Sequence, residues 1–274
     1  MGNCHLGTSI PAWLKSQKKL KHLDFSYASI SGTIPSWFWE TISNLALLNV
    51  SFNQLHGQLP SPLNVAPNAF IDLSSNLFEG LIPFLVGEIE FLNLSNDTLS
   101  SPIPGDIGAS MSKLWFLSLS SNQITEDIPA SIGNMPSIQV IDFSGNNLTG
   151  KLPSSIGNFS LLTVLDLKMN NLLGEIPASL GSIPQWIGES FTSLKIISLQ
   201  SNAFSRELPS KLSSISSLQV LDLAENKLNC IIPASFGEAY EAEKTSENDS
   251  APPSMDLIFK SHPQSLTART TMFG

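Results

Sequence analysis

Nine times along this chain an alternating apolar strand is followed by a turn, a further apolar residue and an Ile/Leu-Pro break, opened by glycine in five copies and by Ser101, Glu126, Arg206 and Cys230 in the others. The copy from Leu165 to Pro177 reads LDLKMNNLLGEIP, that from Ile141 to Pro153 reads IDFSGNNLTGKLP, and that from Leu48 to Pro60 reads LNVSFNQLHGQLP. The turn position falls at Ala28, Asn53, Asn76, Asp97, Asn122, Asn146, Asn170, Asn202 and Asn226, a spacing of 21 to 25 residues apart from one step of 32. A unit that short cannot bury its own apolar face, so the copies must stack on one another and share a continuous core.

Each part of the unit has a physical reading. In Leu162-x-x-Leu165-x-Leu167 the last two leucines alternate with solvent-facing positions, as a strand with one buried face requires. An asparagine suits the following turn because its amide both donates and accepts, so a row of them would form a polar ladder inside the stack. Glycine then tolerates an unusual backbone angle and proline ends the strand, sending the chain onto the convex side. A period of 20 to 29 with the pattern LxxLxLxxNxL is the leucine-rich-repeat signature. The expected fold is an α/β repeat solenoid, a plant-type leucine-rich-repeat horseshoe with a parallel concave sheet. Residues 1–237 are expected to form about nine coils, irregular near 174–189, and residues 238–274 an acidic, largely flexible tail. Charged residues are only 14% of the chain, which leaves enough apolar surface for such a core. At roughly 4.8 Å per coil, nine coils give a sheet on the order of 40 Å long.

The stretch LGTSIPAWLKSQKKLKHLDFSYASISGTIPSWFW, Leu6 to Trp39, resembles the ectodomain of plant receptor-like proteins, the family that includes receptors for fungal elicitors such as xylanase. The resemblance covers about Leu6 to Gly237, and the shared Gly-x-Ile-Pro break marks plant extracellular repeats. It implies a plasma-membrane receptor whose repeats lie outside the cell, binding a peptide, protein or glycan ligand and recruiting a co-receptor kinase. The repeats are also similar to polygalacturonase-inhibiting proteins, which implies the alternative of a secreted inhibitor of microbial wall-degrading enzymes. A scaffold or degenerate fragment without a ligand is the third reading.

The sequence departs from that family in several places. MGNCHLGTSI has neither the basic start nor the apolar core of a signal peptide, and no run approaches the 18 apolar residues of a membrane helix. The paired-cysteine cap is absent and the array starts with the tail of a repeat at Gly7 to Pro11, so the chain reads as an internal piece of an ectodomain. In the 32-residue step, Gly181-Ser-Ile-Pro184 follows Gly174-Glu-Ile-Pro177 too soon for the chain to circle the solenoid. Either Gly174 to Leu180 or Ser182 to Glu189 should bulge out, unless the step reflects a faulty gene model. Cys4 and Cys230 stand at opposite ends of the array and should not pair.

No catalytic or metal-ligating constellation emerges: His5, His22, His56 and His262 are scattered, and no phosphate-binding loop joins a strand to a helix. The chain reads as non-catalytic and cofactor-free, and a net charge of -9 disfavours nucleic acid. Asp24, Asp72, Asp142, Asp166 and Asp222 recur at one strand position, which suggests a hydrated acidic row rather than paired catalytic carboxylates. The ligand-binding candidates are Tyr27, Phe52, Phe70, Asp72, Phe91, Trp115 and Phe116 on the concave face of the first five coils, where aromatics beside amides and carboxylates suit a peptide or sugar. Lateral packing is the competing reading of that stripe. Trp37, Phe38 and Trp39 follow a Gly-x-Ile-Pro break and are expected to fill the convex core. Six sequons, at Asn49, Asn93, Asn96, Asn147, Asn158 and Asn248, are glycosylation candidates in a secreted chain.

Overall fold

In the computed structural model the repeat closes into a single stack of coils; residues 2, 4–181, 193–229 and 256–258 are described. Each coil contributes one short strand to a parallel sheet lining the concave face. In chain order these strands are His22–Asp24, Leu47–Asn49, Ala69–Asp72, Ile89–Asn93, Phe116–Ser118, Val140–Asp142, Val164–Asp166, Ile196–Ser198 and Val220–Asp222. Asp256–Ile258 adds a tenth strand, with Leu257 in register with Leu221. The rest of the proposed acidic tail, and Cys230, lie outside the described residues.

Register repeats from strand to strand because every coil presents the same alternation, with one irregularity between Ala69 and Phe70 where the third strand meets the fourth. Phe70 pairs with Phe91, Phe91 with Phe116, Phe116 with Val140, and Val140 with Val164. The inward leucines and isoleucines of successive coils therefore stack into one core running the length of the array, with Leu48, Leu92, Leu117, Ile141, Leu165 and Ile197 all buried. Phe25, Phe78, Phe143 and Phe204 are among the largest side chains fully buried in it.

The asparagine ladder takes the predicted form. Asn53 Oδ1 accepts from the backbone N–H of Ala28 at 3.1 Å and Ile30 at 2.9 Å, while its Nδ2 donates to the carbonyls of Phe25, Val50 and Ser51. Asn122, Asn146, Asn170 and Asn226 repeat the pattern. One side chain thus satisfies backbone groups of two coils that stacking has removed from water.

The Gly-x-Ile-Pro arm does more than end a strand. The residues after the ladder position form a second run of parallel strands on the lateral face, Ser31–Thr33, Gln54–Gln58, Leu77–Gly80 and Thr98–Leu99 in one sheet. Gly57 and Gly80 take φ of +94° and +82° there, a region closed to most side chains. Pro35, Pro129, Pro153 and Pro209 each precede a convex helical turn as its N-cap, in the extended conformation that a proline prefers. The convex turns are the helix Ser36–Ile42, which buries Phe38 with Trp37 and Trp39 packed beside it, the short helix Ile107–Ser110, and a series of 3-10 turns. Coils 2 and 3, the shortest, have no room for a helical turn and pair Leu63–Asn64 with Leu85–Val86 instead.

Around the 32-residue step, Gly174 to Leu180 stays in the array. Leu173–Gly174 pairs with Ala203–Phe204, Ala178–Gly181 forms a 3-10 turn, and Leu180 is buried. Ser182 to Glu189 lies outside the described residues. The strand Val164–Asp166 pairs directly with Ile196–Ser198, so the additional residues leave the concave sheet uninterrupted.

Candidate functional site

The outward residues of the concave strands fall into rows that run along the solenoid. In the row containing the recurrent aspartates, Asp72 Oδ1 accepts from the backbone N–H of Ser74 at 3.1 Å and its hydroxyl at 2.6 Å. Asp24 with Ser26, Asn49 with Ser51, Asn93 with Ser95, and Asp142 with Ser144 make the same turn. The row is thus a structural device: an oxygen at this position closes the strand end, and Asn serves as well as Asp. Where Lys168 replaces the serine, its ammonium reaches Asp166 Oδ2 at 2.8 Å, and that hydrogen bond raises the lysine pKa above 10.5.

The seven candidate residues separate into two clusters. Tyr27 and Phe52, just past their strands, stack at 4.2 Å with planes 8° apart. Phe70, Phe91 and Phe116, at the opposite end of the strands, form a second column with centroid spacings of 5.8 and 4.3 Å. Trp115 leans on all three at 5.6 to 6.2 Å. Asp72 lies on the same concave sheet, in the row between the two clusters. Lateral packing explains part of the stripe, since Phe91, Trp115 and Phe116 are half-buried. It does not explain Tyr27 and Phe52, which remain 52% and 47% exposed.

Tyr27 and Phe52 also occupy strained backbone. The residue before the ladder position takes a left-handed conformation along the array, at φ 52° for Tyr27, 56° for Phe52, 56° for Ser75 and 64° for Gly145. That geometry belongs to the repeat, but an L side chain there costs on the order of 1 kcal/mol. Nothing in the sequence pattern announced the angle.

The sequons differ in surroundings. Asn147 and Asn158 are exposed, on a lateral strand and a convex turn. Asn49 and Asn93 are half-buried, with their side-chain oxygens held in the turns described above. Asn96 donates to Ser75 Oγ at 3.1 Å, and Asn248 lies outside the described residues.

A second concavity escaped the sequence reading. A shallow polar recess of about 440 Å³ opens on the lateral face, lined by Gln58, Glu79, Gly80, Thr98, Ser100 and Gln123. It adjoins the place where the lateral sheet breaks after Thr98–Leu99: Ser101 stands at a glycine position, and Pro102 makes only an isolated bridge to Thr125. The double-proline run Ser101-Pro-Ile-Pro104 was the available signal.

A curved parallel sheet with a variable outer face, joined by an asparagine ladder to Gly-x-Ile-Pro arms, defines a plant-type leucine-rich-repeat solenoid. A family model described as Leucine Rich Repeat matches residues 19–40, 113–135, 137–159, 161–183 and 217–239. The chain is similar to the leucine-rich-repeat receptor-like proteins of plants. It is 43% identical over 84 residues to receptor-like protein EIX1 of Solanum lycopersicum, covering 30% of this chain and 8% of that one. With receptor-like protein 18 of Arabidopsis thaliana it shares 34% identity over 234 residues, 84% of this chain and 24% of the relative. The chain therefore spans a quarter or less of the length of these relatives. Among solved structures, a TDR receptor superposes with a TM-score of 0.73 at 32% identity, over 85% of this chain and 39% of that one. The Arabidopsis receptor kinase HAESA, in complex with the peptide hormone IDA and the co-receptor SERK1, gives 0.58 at 25% identity over 83% and 49%. Among the described residues, no helix is long and apolar enough to cross a membrane.

Proposed function

We propose that this chain is the non-catalytic, ligand-binding portion of a receptor-like protein acting in plant defence or developmental signalling. Its binding surface is the concave face of coils 1 to 5. The observation that carries this reading is the pair of aromatic clusters on that face, one of them held on strained backbone with half of each ring exposed. An exposed ring that costs folding energy to display suits a contact with a partner better than packing within the coil. The ligand is a peptide, protein or glycan laid across the strands. The rings supply apolar contact and Asp72 a polar anchor. By likeness to HAESA, whose complex contains a peptide hormone and a co-receptor, the signal passes to a co-receptor kinase. The site of action is the extracellular face of the plasma membrane or the apoplast, where Asn96, Asn147 and Asn158 are exposed glycosylation candidates.

The test is binding by the immobilised full chain. A fungal xylanase, a fungal polygalacturonase and a pool of synthetic peptides are titrated over the wild type and a Trp115→Ala/Phe116→Ala double variant. Binding that falls at least tenfold in the variant supports the reading. Binding that both proteins share equally removes the patch from the site, and inhibition of the polygalacturonase selects the secreted-inhibitor alternative.

A further inference from the structure

The ladder contains one acid, Asp97, and it follows the strand that carries Phe91. Each ladder asparagine faces two ways: its oxygen accepts from the preceding coil's backbone N–H, and its nitrogen donates to three carbonyls. In coil 3, Asn76 Nδ2 donates to the carbonyls of Val50, Leu73 and Ser74 at 3.1, 2.8 and 3.1 Å. In coil 5, Asn122 Nδ2 does the same to Leu94, Leu119 and Ser120 at 2.8, 3.0 and 3.2 Å. Asp97 in coil 4 reproduces only half of this. Its Oδ1 accepts from Phe78 N–H at 2.9 Å, while its Oδ2 is buried without a hydrogen-bond partner.

That oxygen stands where the neighbouring coils place an amide nitrogen. By the repeat's register, the carbonyls belonging to it are those of Leu73, Leu94 and Ser95, the counterparts of the three that Asn122 satisfies. A carboxylate would set oxygen against oxygen. A carboxylic acid places one O–H where the amide N–H would be and restores a donation. Asp97 is only 8% exposed, so water is in no position to solvate a charge there.

We infer that Asp97 is folded into the ladder as a neutral acid that donates a hydrogen bond, so that coil 4, which carries Phe91, is held by a proton and loosens when that proton leaves. Asp97 Oδ1 ties this coil to coil 3 through Phe78, and the strand it follows, Ile89–Asn93, places Phe91 between Phe70 and Phe116. Loss of the proton therefore acts on the middle of the aromatic column.

The charged surroundings favour the neutral form. From coil 3 the charge that acts on Asp97 is that of Asp72, which is of like sign, and coil 5 brings the neutral amide of Asn122. Glu79 is exposed on the lateral face, Glu88 and Lys113 pair with each other in the open at 3.3 Å, and Glu90 is half-buried. Burial is the largest influence. It pushes the Asp97 carboxyl from 3.8 to about 8, against the opposing backbone N–H groups of Phe78 and Asn76. In the unfolded chain the same carboxyl releases its proton near 3.8, so between these two values folding takes up a proton. The stabilisation is complete below the lower value, declines as pH rises, and levels off above the upper one.

The experiment compares the wild-type full chain with Asp97→Asn, in which the amide restores the ladder without a titratable group. Chemical denaturation is followed from pH 4 to 9. Relative to the variant, the folded-to-unfolded ratio of the wild type should fall by up to tenfold per pH unit until about pH 8. Amide protection at Phe78 and Phe91, taken relative to the intrinsic base-catalysed exchange rate, should fall over the same range in the wild type alone. Asn146→Asp, which places an acid in a regular coil, should acquire a comparable pH dependence of its own. Parallel profiles for the wild type and Asp97→Asn, in denaturation and in exchange, would overturn the inference. Neither readout needs a ligand, so the result is independent of the binding function proposed above.

Discussion

Coils 1 to 5 and coils 6 to 9 share one scaffold and differ in what they display on it. The junction is sharp: Phe116 and Val140 are in register on adjacent strands, yet one closes an aromatic column and the other begins an aliphatic row continued by Val164, Ile196 and Val220. At the other end of the strands, Tyr27 and Phe52 give way to Ser75, Asn96, Ser121 and Gly145 at the same left-handed position. The ladder, the closing turn at Asp72 and Asp142, and the buried leucines are unchanged across the junction. The stacking core is thus carried by inward residues alone, which leaves the outward ones free to differ. The first five coils use that freedom for large rings.

If the two halves are equivalent as scaffold, deleting a ladder amide should cost the same in each. Asn122→Ala and Asn146→Ala each leave several buried backbone groups unpaired, and a loss of about 3 kcal/mol is expected for both, measured by urea denaturation. A large inequality would show that the halves are not held in the same way. The display residues should behave oppositely. Phe91→Ala, at the centre of the column, is expected to weaken binding at least tenfold in the titration described above, whereas Val164→Ala should change it less than twofold.

Phe52→Asn sharpens the contrast between stability and display. Relief of left-handed strain, about 1 kcal/mol, offsets the lost stacking with Tyr27, about 0.5 to 1.5 kcal/mol, so thermal stability should hardly move while binding falls. The smallest effect belongs to the aliphatic half. Asp166→Asn removes the charged partner of Lys168, whose side chain is 40% exposed, and should cost less than about 1 kcal/mol, shrinking as salt is added. Because the lysine pKa is raised, that contribution persists through neutral pH and is lost only as pH climbs beyond the ordinary lysine value of 10.5.

The concave sheet, the ladder, the convex placement of Phe38 and the inclusion of Phe70, Phe91 and Trp115 on one face were legible because each follows from a position within a repeat. The lateral sheet was not, since Gln54 to Gln58 alternates too weakly to distinguish a strand from a turn. The division of the seven candidates into two clusters was equally hidden, because linear order says that Phe52 and Phe70 lie in adjacent coils but not that they leave opposite ends of the strands. Asp97 was recognisable as a substituted ladder position. Its consequence was not, because an acid in an exposed turn is unremarkable and only burial of its second oxygen makes it a problem of hydrogen bonding.

By itself the sequence determined the solenoid: a period of 21 to 25 residues admits no other way to bury those leucines. It also determined which residues reach the concave face, since a strand alternates its sides with a fixed period. The tertiary structure decided which of those residues touch, which stand on strained backbone and which polar atoms lose water. These depend on the stacking of one coil against the next, which no single repeat contains.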